Sequence, residues 1–276
     1  MTTETHSSYH AASTPHGLEA ELQRLRFQAL LSWAQEVRIL QGLGLAPGMR
    51  VLELGSGPGF ITAALAALVP AGEVLALEID PELQARARAY LAAAGVTNWR
   101  PVRANAMATG LAPASVDFVY ARYLFQHLPD PTGAAREAAR VLRPGGVLAV
   151  FDVDDALVIL DPPPAPTVAP INDRLEAAHR AEQAARGGNR LIGRRLPHIL
   201  RDAGFHDLAI SAVATHNLVA DLATYVPQPS AELLAPAVAD GTITAEERDL
   251  YLADAAAFFA GDPAILLVAL VAAGRR

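Results

Sequence analysis

Short runs of apolar, β-favouring residues recur along this chain and alternate with segments of helical spacing. The runs are Val51–Leu54, Val74–Ile79, Arg100–Arg103, Asp117–Ala121 and Val147–Asp152. Such alternation predicts a parallel sheet covered by helices on both faces. The first two runs are nearly continuous in apolar residues, as strands buried on both sides should be, which places them mid-sheet. After the second, Asp80 stands as an N-cap with Pro81 at the first helical position. Leu83, Ala87, Tyr90, Leu91 and Ala94 then recur at helical spacing until Gly95 stops the helix. Asp130 and Pro131 open a second helix, expected to end at Arg143 because Pro144 disfavours helical geometry before it.

Composition narrows the options. The chain has 276 residues, 52% hydrophobic and 18% charged, which suits one sizeable domain or a core domain with insertions. A formal charge of −7 leaves no basic field to hold a phosphate backbone, so no nucleic acid partner is expected. There are no cysteines, which excludes disulfides and thiolate chemistry and fits a reducing cytoplasm. The opening MTTETHSSYH lacks the apolar core of a signal peptide. The longest apolar run, Ala264 to Ala273, is too short to span a bilayer and reads as a buried strand. The expectation is a cytoplasmic chain with no membrane insertion.

Three segments exceed what a minimal alternating sheet requires, and specificity is expected there. Residues 1–48 are expected to form an N-terminal helical lid, with Leu22, Leu25 and Leu30 as apolar positions of its helix. The main domain, 49–276, is expected to carry cap insertions at about 156–190 and 215–262. The first holds DPPPAPTVAP and a helix over 172–186, ended by Gly187 and Gly188; the second holds a helix over 244–260 opened by the capping-box pair Thr244 and Glu247.

The segment VLELGSGPGF at 51–60 ends the first strand on Gly55, Gly57 and Gly59, with Glu53 inside the strand. A glycine turn lets the backbone approach a ligand closely, and the following helix presents free N–H groups, which together imply a nucleotide-like cofactor. The dinucleotide fingerprint GxGxxG would need its third glycine where Phe60 stands. S-adenosylmethionine carries no pyrophosphate; its amino group and sulfonium favour a nearby carboxylate.

The stretch from Val51 to Gly146 resembles, in order and spacing, the class I S-adenosylmethionine-dependent methyltransferases of small-molecule type. Its carriers are the glycine segment with Glu53, Glu78 at the end of the second strand, Asn105–Ala106 after the third, Asp117–Phe118, Arg122 through His127 to Pro131, and VLRPGG at 141–146. The resemblance implies an α/β, doubly wound, mostly parallel seven-stranded sheet with helices on both faces plus helical cap insertions. It also implies that S-adenosylmethionine is held by Glu53, Gly55, Ser56, Gly57, Gly59, Glu78, Ile79, Asn105, Ala106 and Arg122, and is converted to S-adenosylhomocysteine. Within it, Glu78 would grip the ribose hydroxyls and Arg122 would lie near the methionine end. Asn105 stands where the family more often has Asp, and it reads equally as a turn former. Glu53 has the alternative of a buried carboxylate satisfied by backbone donors.

In an open α/β sheet the ligand lies where strand order reverses, here between the strands ending at Leu54 and Ala121. Residues after the latter then face the reactive centre. His127 is the candidate catalytic base, since its neutral form exists near pH 7; buttressing the loop is its alternative. Tyr123, Asp152 and His216 are candidates for substrate binding, and Tyr9 for an N-terminal cover over the cofactor. No metal is expected, because Asp152, Asp154 and Asp155 supply only one side of an oxygen-rich site. The [DN]PP[YF] tetrapeptide of exocyclic-amine methylation is replaced by Tyr120-Ala121-Arg122-Tyr123. The inserted helices, with Leu250, Ala253, Ala257 and Phe258 on one stripe, are expected to roof the cleft over an acceptor with apolar bulk, or else to form core or a homodimer interface. Other readings remain open: the fold reused for cyclisation or decarboxylation, an NAD-dependent oxidoreductase, or a non-catalytic subunit.

Overall fold

The computed structural model describes residues 17–220 and 228–276. Tyr9 and the first part of the expected lid lie outside the described residues. The described chain opens with α1 (Gly17–Leu31) and α2 (Trp33–Gly42), so the helical preamble is two helices broken at Ser32. There follow β1 (Arg50–Leu54), α3 (Phe60–Leu68), β2 (Glu73–Glu78), α4 (Pro81–Ala93), β3 (Trp99–Arg103), β4 (Val116–Arg122), α5 (Pro131–Val141) and β5 (Leu142–Asp161). The rest is α6 (Ala169–Ala185), α7 (Leu196–Asp202), β6 (His206–His216), α8 (Ala231–Ala239), α9 (Ala245–Ala260) and β7 (Ala264–Arg275).

The seven strands form one sheet in the order β3-β2-β1-β4-β5-β7-β6, with β7 antiparallel to both neighbours. Strand order reverses between β1 and β4, which pair in parallel with Leu54 opposite Ala121. Alternation along the strands divides the core. On one face Leu52, Leu54, Val119, Ala121 and Leu148 pack against Ala134, Ala138 and Val141 of α5 and Leu196 and Leu200 of α7. On the other, Val51, Phe118, Tyr120, Ala149 and Phe151 pack against Leu40 of α2 and Ile61, Leu65 and Ala66 of α3. Glu53, Tyr120 and Arg122 share that second face by the period of two.

Helix starts follow local chemistry. Asp80 caps α4 by accepting from the backbone N–H of Glu82 at 2.8 Å, and Thr244 and Glu247 form the reciprocal capping box that opens α9. The α5 helix stops at Val141, two residues before the expected Arg143, because Leu142 already enters β5 opposite Val116.

Two expected insertions need redrawing. Residues 156–161 are not a cap: Val158–Asp161 continue β5 against Leu267–Ala264 of β7, beyond a bulge at 154–157. An apolar, β-branched run with an antiparallel partner gains more as strand than as loop. Likewise 215–216 close β6, an edge strand whose residues are mostly exposed, Leu208 and Ile210 among them. The helix expected from Asn172 begins earlier, at Ala169.

Phe118 is 1% exposed in the centre of the second face. Phe118→Ala is expected to cost about 3–5 kcal/mol of unfolding free energy, read from denaturant midpoints; a loss under about 1 kcal/mol would show that this layer repacks freely.

Candidate functional site

The glycine turn leaves β1 at the switch point. Gly55, Gly57 and Gly59 all adopt left-handed φ, at +69°, +52° and +86°. At Gly59, the N-cap of α3, a Cβ would come within 3.1 Å of Ala87 Cβ and Leu91 Cδ1, so α3 and α4 close tightly only over a bare backbone. At Gly57 a Cβ would meet nothing within 4 Å, so the turn faces open space. Ser56 is buried, its N–H donating to Leu77 O at 2.9 Å.

Glu78 ends β2 beside this turn. Its Oε2 accepts from Gly57 N–H at 2.8 Å, and its Oε1 from Ile79 and Asp80 N–H at 2.8 and 2.9 Å. Burial raises its pKa above the ordinary value, against those three backbone donors. Three of roughly four acceptor positions of the carboxylate are thus taken in the free protein. Ile79 follows it, 46% exposed and apolar, at the lip of the turn.

Glu53 is buried on the α2–α3 face, and Thr62 of α3 donates to its Oε2 at 2.6 Å. Its donor is thus a hydroxyl rather than the backbone alone. Burial pushes its pKa up to about 8; Thr62 and the charge of Arg122 pull down, while Glu78 pushes up. Asn105 accepts from Met107 N–H at 2.9 Å through Oδ1, the geometry of a turn former, and Ala106 is buried beneath it.

At the end of β4 the chain makes contacts of its own. Arg122 faces the N-terminal helices: its Nε and Nη2 reach the two oxygens of Glu36 at 2.8 and 3.0 Å, and Nη2 also reaches Gln28 O at 2.8 Å. Its hydrogen bonds therefore hold α1 and α2 to the sheet. No spacing signal links these residues, which is why sequence reasoning missed Glu36. Tyr123 has φ +52°, a strained conformation for a residue with a side chain, and its ring meets Phe151 edge-on at 5.0 Å.

Asp152 is fully buried and holds the following turn, accepting from Gln126 N–H at 3.1 Å and from Val153 N–H at 2.9 Å. Burial pushes its pKa up to about 7. Gln126 O in turn receives Gln183 Nε2 of α6 at 2.9 Å and Asn189 N–H at 2.7 Å. In these bonds Asp152 sets the loop. His127 lies in a single helical turn, Phe125–His127; burial, with Arg190 and Arg24 nearby, pushes its pKa down to about 4. Burial and the two guanidiniums outweigh the opposing charge of Glu21, which makes this ring a weak proton acceptor. His216 stands apart. It pairs with Leu266, five residues along β7 from the Val271 level of Phe151, about 16 Å at strand rise, and its Nδ1 accepts from Leu218 N–H at 3.0 Å.

A small, open cleft of about 60 Å³ lies beside Tyr123. Phe151, Val153, Val213, Leu267 and Ala269 give it apolar walls, Leu31 and Ser32 bound it at the α1–α2 junction, and Asp155 with Arg190 supplies a polar rim. Arg190 is ion-paired to Asp155 and Asp154 to Arg194, so the charges at the rim are matched. Helices α6 and α9 do not line this cleft, contrary to the expected roof; α9 instead packs on α6 through Arg174–Glu247 and Tyr251–Asn172. Its stripe stays partly exposed, with Leu250 45% accessible. Among the described residues no group of three or more His, Asp or Glu is placed to hold a metal, and no helix is long and apolar enough to cross a membrane.

Residues 52–150 match the methyltransferase domain family. The trans-aconitate 2-methyltransferase of Methylobacterium radiotolerans is 32% identical over 200 residues, covering 67% of this chain and 68% of that protein. Other relatives overlap less. The chain spans 46% of a 37.1 kDa transposon-encoded protein of Streptomyces fradiae, at 32% identity over 60% of this chain. It spans 42% of a ubiquinone biosynthesis O-methyltransferase of Xanthomonas campestris, at 34% identity over 37% of this chain. Among solved structures, a SAM dependent methyltransferase from Aquifex aeolicus superposes with a TM-score of 0.52 at 23% identity, over 70% of this chain and 89% of that one. The YcgJ protein of Bacillus subtilis does so at 0.56 and 18% identity, over 88% and 98%. The chain belongs to the class I S-adenosylmethionine-dependent methyltransferase family.

A carboxyl held above its ordinary pKa stabilises the fold in its protonated form. Its contribution is complete below the ordinary carboxylate range and is lost as pH rises through about 8. Melting profiles of the ligand-free protein and of Glu53→Gln are therefore expected to diverge between pH 5 and 8. The parent should lose a few kcal/mol more than the variant, at about 1.4 kcal/mol per pK unit; parallel profiles would mean that Glu53 is ionised throughout.

Proposed function

We propose that this chain methylates an O, N or C atom of a small, neutral, largely apolar acceptor, with S-adenosylmethionine as donor, in the cytoplasm. The observation that carries this is the open Gly57 turn with the Glu78 carboxylate set against it. The residues fit the cofactor. Glu78 keeps one acceptor position for a ribose hydroxyl and gains a second where a hydroxyl takes over the Gly57 donor. Ile79 offers an apolar surface to a base. Glu53, neutral in the free protein, gives up its proton when a cation arrives beside it, and so meets positive charge with a full negative one.

The bound donor supplies an electrophilic methyl group on a sulfonium. What the protein adds is alignment and dryness. Asp152 holds the Gln126 turn, and Tyr123 and Phe151 wall the cleft through which an acceptor would reach the switch point. A neutral His127 of low basicity fits a wall better than a base, so the favoured acceptor loses its proton readily or needs to lose none. Matched rim charges and apolar walls favour a neutral acceptor, in keeping with natural-product or quinone biosynthesis. The ubiquinone-related relative is named for O-methyl transfer.

Thermal melting in the presence of S-adenosylmethionine, S-adenosylhomocysteine or NAD tests the reading. At 100 times its dissociation constant, either adenosyl ligand is expected to stabilise by about 2.7 kcal/mol, and Glu78→Ala to abolish the shift. Stabilisation by NAD alone would overturn it. Transfer from methyl-labelled donor to an acceptor panel, read as formation of S-adenosylhomocysteine, separates methylation from cyclisation or decarboxylation.

A further inference from the structure

Glu36 lies on α2, 86 residues before Arg122, and is 1% exposed. Donors converge on its carboxylate: Arg122 Nε and Nη2 at 2.8 and 3.0 Å, the Ser32 hydroxyl at 2.6 Å, and the Tyr120 hydroxyl. Through Nη2, Arg122 also takes up Gln28 O in the last turn of α1, where helix carbonyls lack partners and a cation is favoured. One guanidinium thus joins both helices across their break.

The same guanidinium carbon lies 4.7 Å from the Tyr123 ring centroid and 4.9 Å from that of Phe151. Arg122 and Phe151 are register partners on β4 and β5, so the stacking follows from strand pairing. Burial alone would draw the Arg122 pKa down; Glu36 holds it above the ordinary value. Of the groups this ion pair touches, Ser32, Tyr123 and Phe151 line the cleft, together with Leu31. Tyr123 holds a strained backbone, and such strain persists only where surrounding contacts enforce it.

Resting on the methyltransferase reading, we propose that Glu36 is a positioning residue of the acceptor site. By fixing Arg122 it places the Tyr123 and Phe151 rings and the Leu31–Ser32 junction, and so sets the shape an acceptor must fit without touching acceptor or cofactor. A purely structural ion pair would change stability and leave the rings where they are.

The chain holds six tyrosines and two tryptophans, and Trp33 immediately follows Ser32. Protein labelled with 3-fluorotyrosine, its Tyr123 resonance assigned by Tyr123→Phe, is compared with and without Glu36→Gln by fluorine NMR. In a Trp99→Phe background, acrylamide quenching reports the shielding of Trp33, and calorimetry gives the affinity for S-adenosylhomocysteine. Glu36→Gln is expected to move the Tyr123 resonance toward its unfolded position and to raise Trp33 quenching at least twofold, with affinity for S-adenosylhomocysteine changed less than threefold. An unmoved Tyr123 resonance, or a tenfold loss of affinity in step with it, overturns the proposal. Should Glu36→Gln fail to fold, Glu36→Asp, which keeps the charge and shortens its reach to Arg122, is read by the same measures against the same thresholds. A parent that ignores S-adenosylhomocysteine while Tyr123 still responds would refute the methyltransferase reading and leave the positioning role standing.

Discussion

A guanidinium can be taken out of water only where a carboxylate and further acceptors surround it, since an unpaired buried charge costs several kcal/mol. Arg122 meets that requirement with a two-oxygen contact to Glu36 and a helix carbonyl, at the point where β4 runs out of the sheet. Because its strand alternates with a period of two, Arg122 shares a face with Tyr120 and sits one strand from Glu53. The placement of α1 and α2, the break between them at Ser32, and the aromatic end of the cleft are all conditions for burying this one charge.

The two acids at the carboxyl ends of β1 and β2 show how environment divides like groups. Glu78 collects three backbone N–H donors, and Glu53 is met by the Thr62 hydroxyl. Burial raises both, and Glu53 reaches about 8. One is therefore preorganised by the loop it braces, while burial outweighs the hydroxyl and the nearby Arg122 charge at the other.

Much of this was legible from the chain because it is written locally. Val51–Leu54 and Val74–Ile79 are apolar but for Glu53 and Glu78, Asp80-Pro81 and Thr244 with Glu247 mark helix starts, and glycines at every second position favour a turn over a strand. Contacts closed over long separations were not legible. The Glu36–Arg122 pair has no periodicity to betray it, so Arg122 was assigned through resemblance alone. Residues 156–161 read as part of a cap because their partner on β7 lies about 100 residues away, a pairing no local propensity encodes. Strand β6 carries the apolar residues Leu208, Ala209, Ile210, Ala212 and Val213 yet is exposed on most of its length, because it pairs at the sheet edge with β7 about 60 residues further on. Asp152 drew attention as an acid near the site, yet its partners are backbone N–H groups, which sequence never displays.

Past the parallel core, β5, β7 and β6 continue as an antiparallel ribbon that climbs beyond the switch point, and Val213 and Thr215 both look into the cleft from it. Such a ribbon grows or shrinks from its free end without disturbing the strands beneath. Pleating makes the step size two: adding a pair of residues to each arm deepens the chamber and keeps the same kind of side chain turned inward, whereas adding one would exchange lining for solvent face along the whole arm. The depth of this cleft is thereby uncoupled from the glycine turn, which stays as it is when the arms lengthen or shorten.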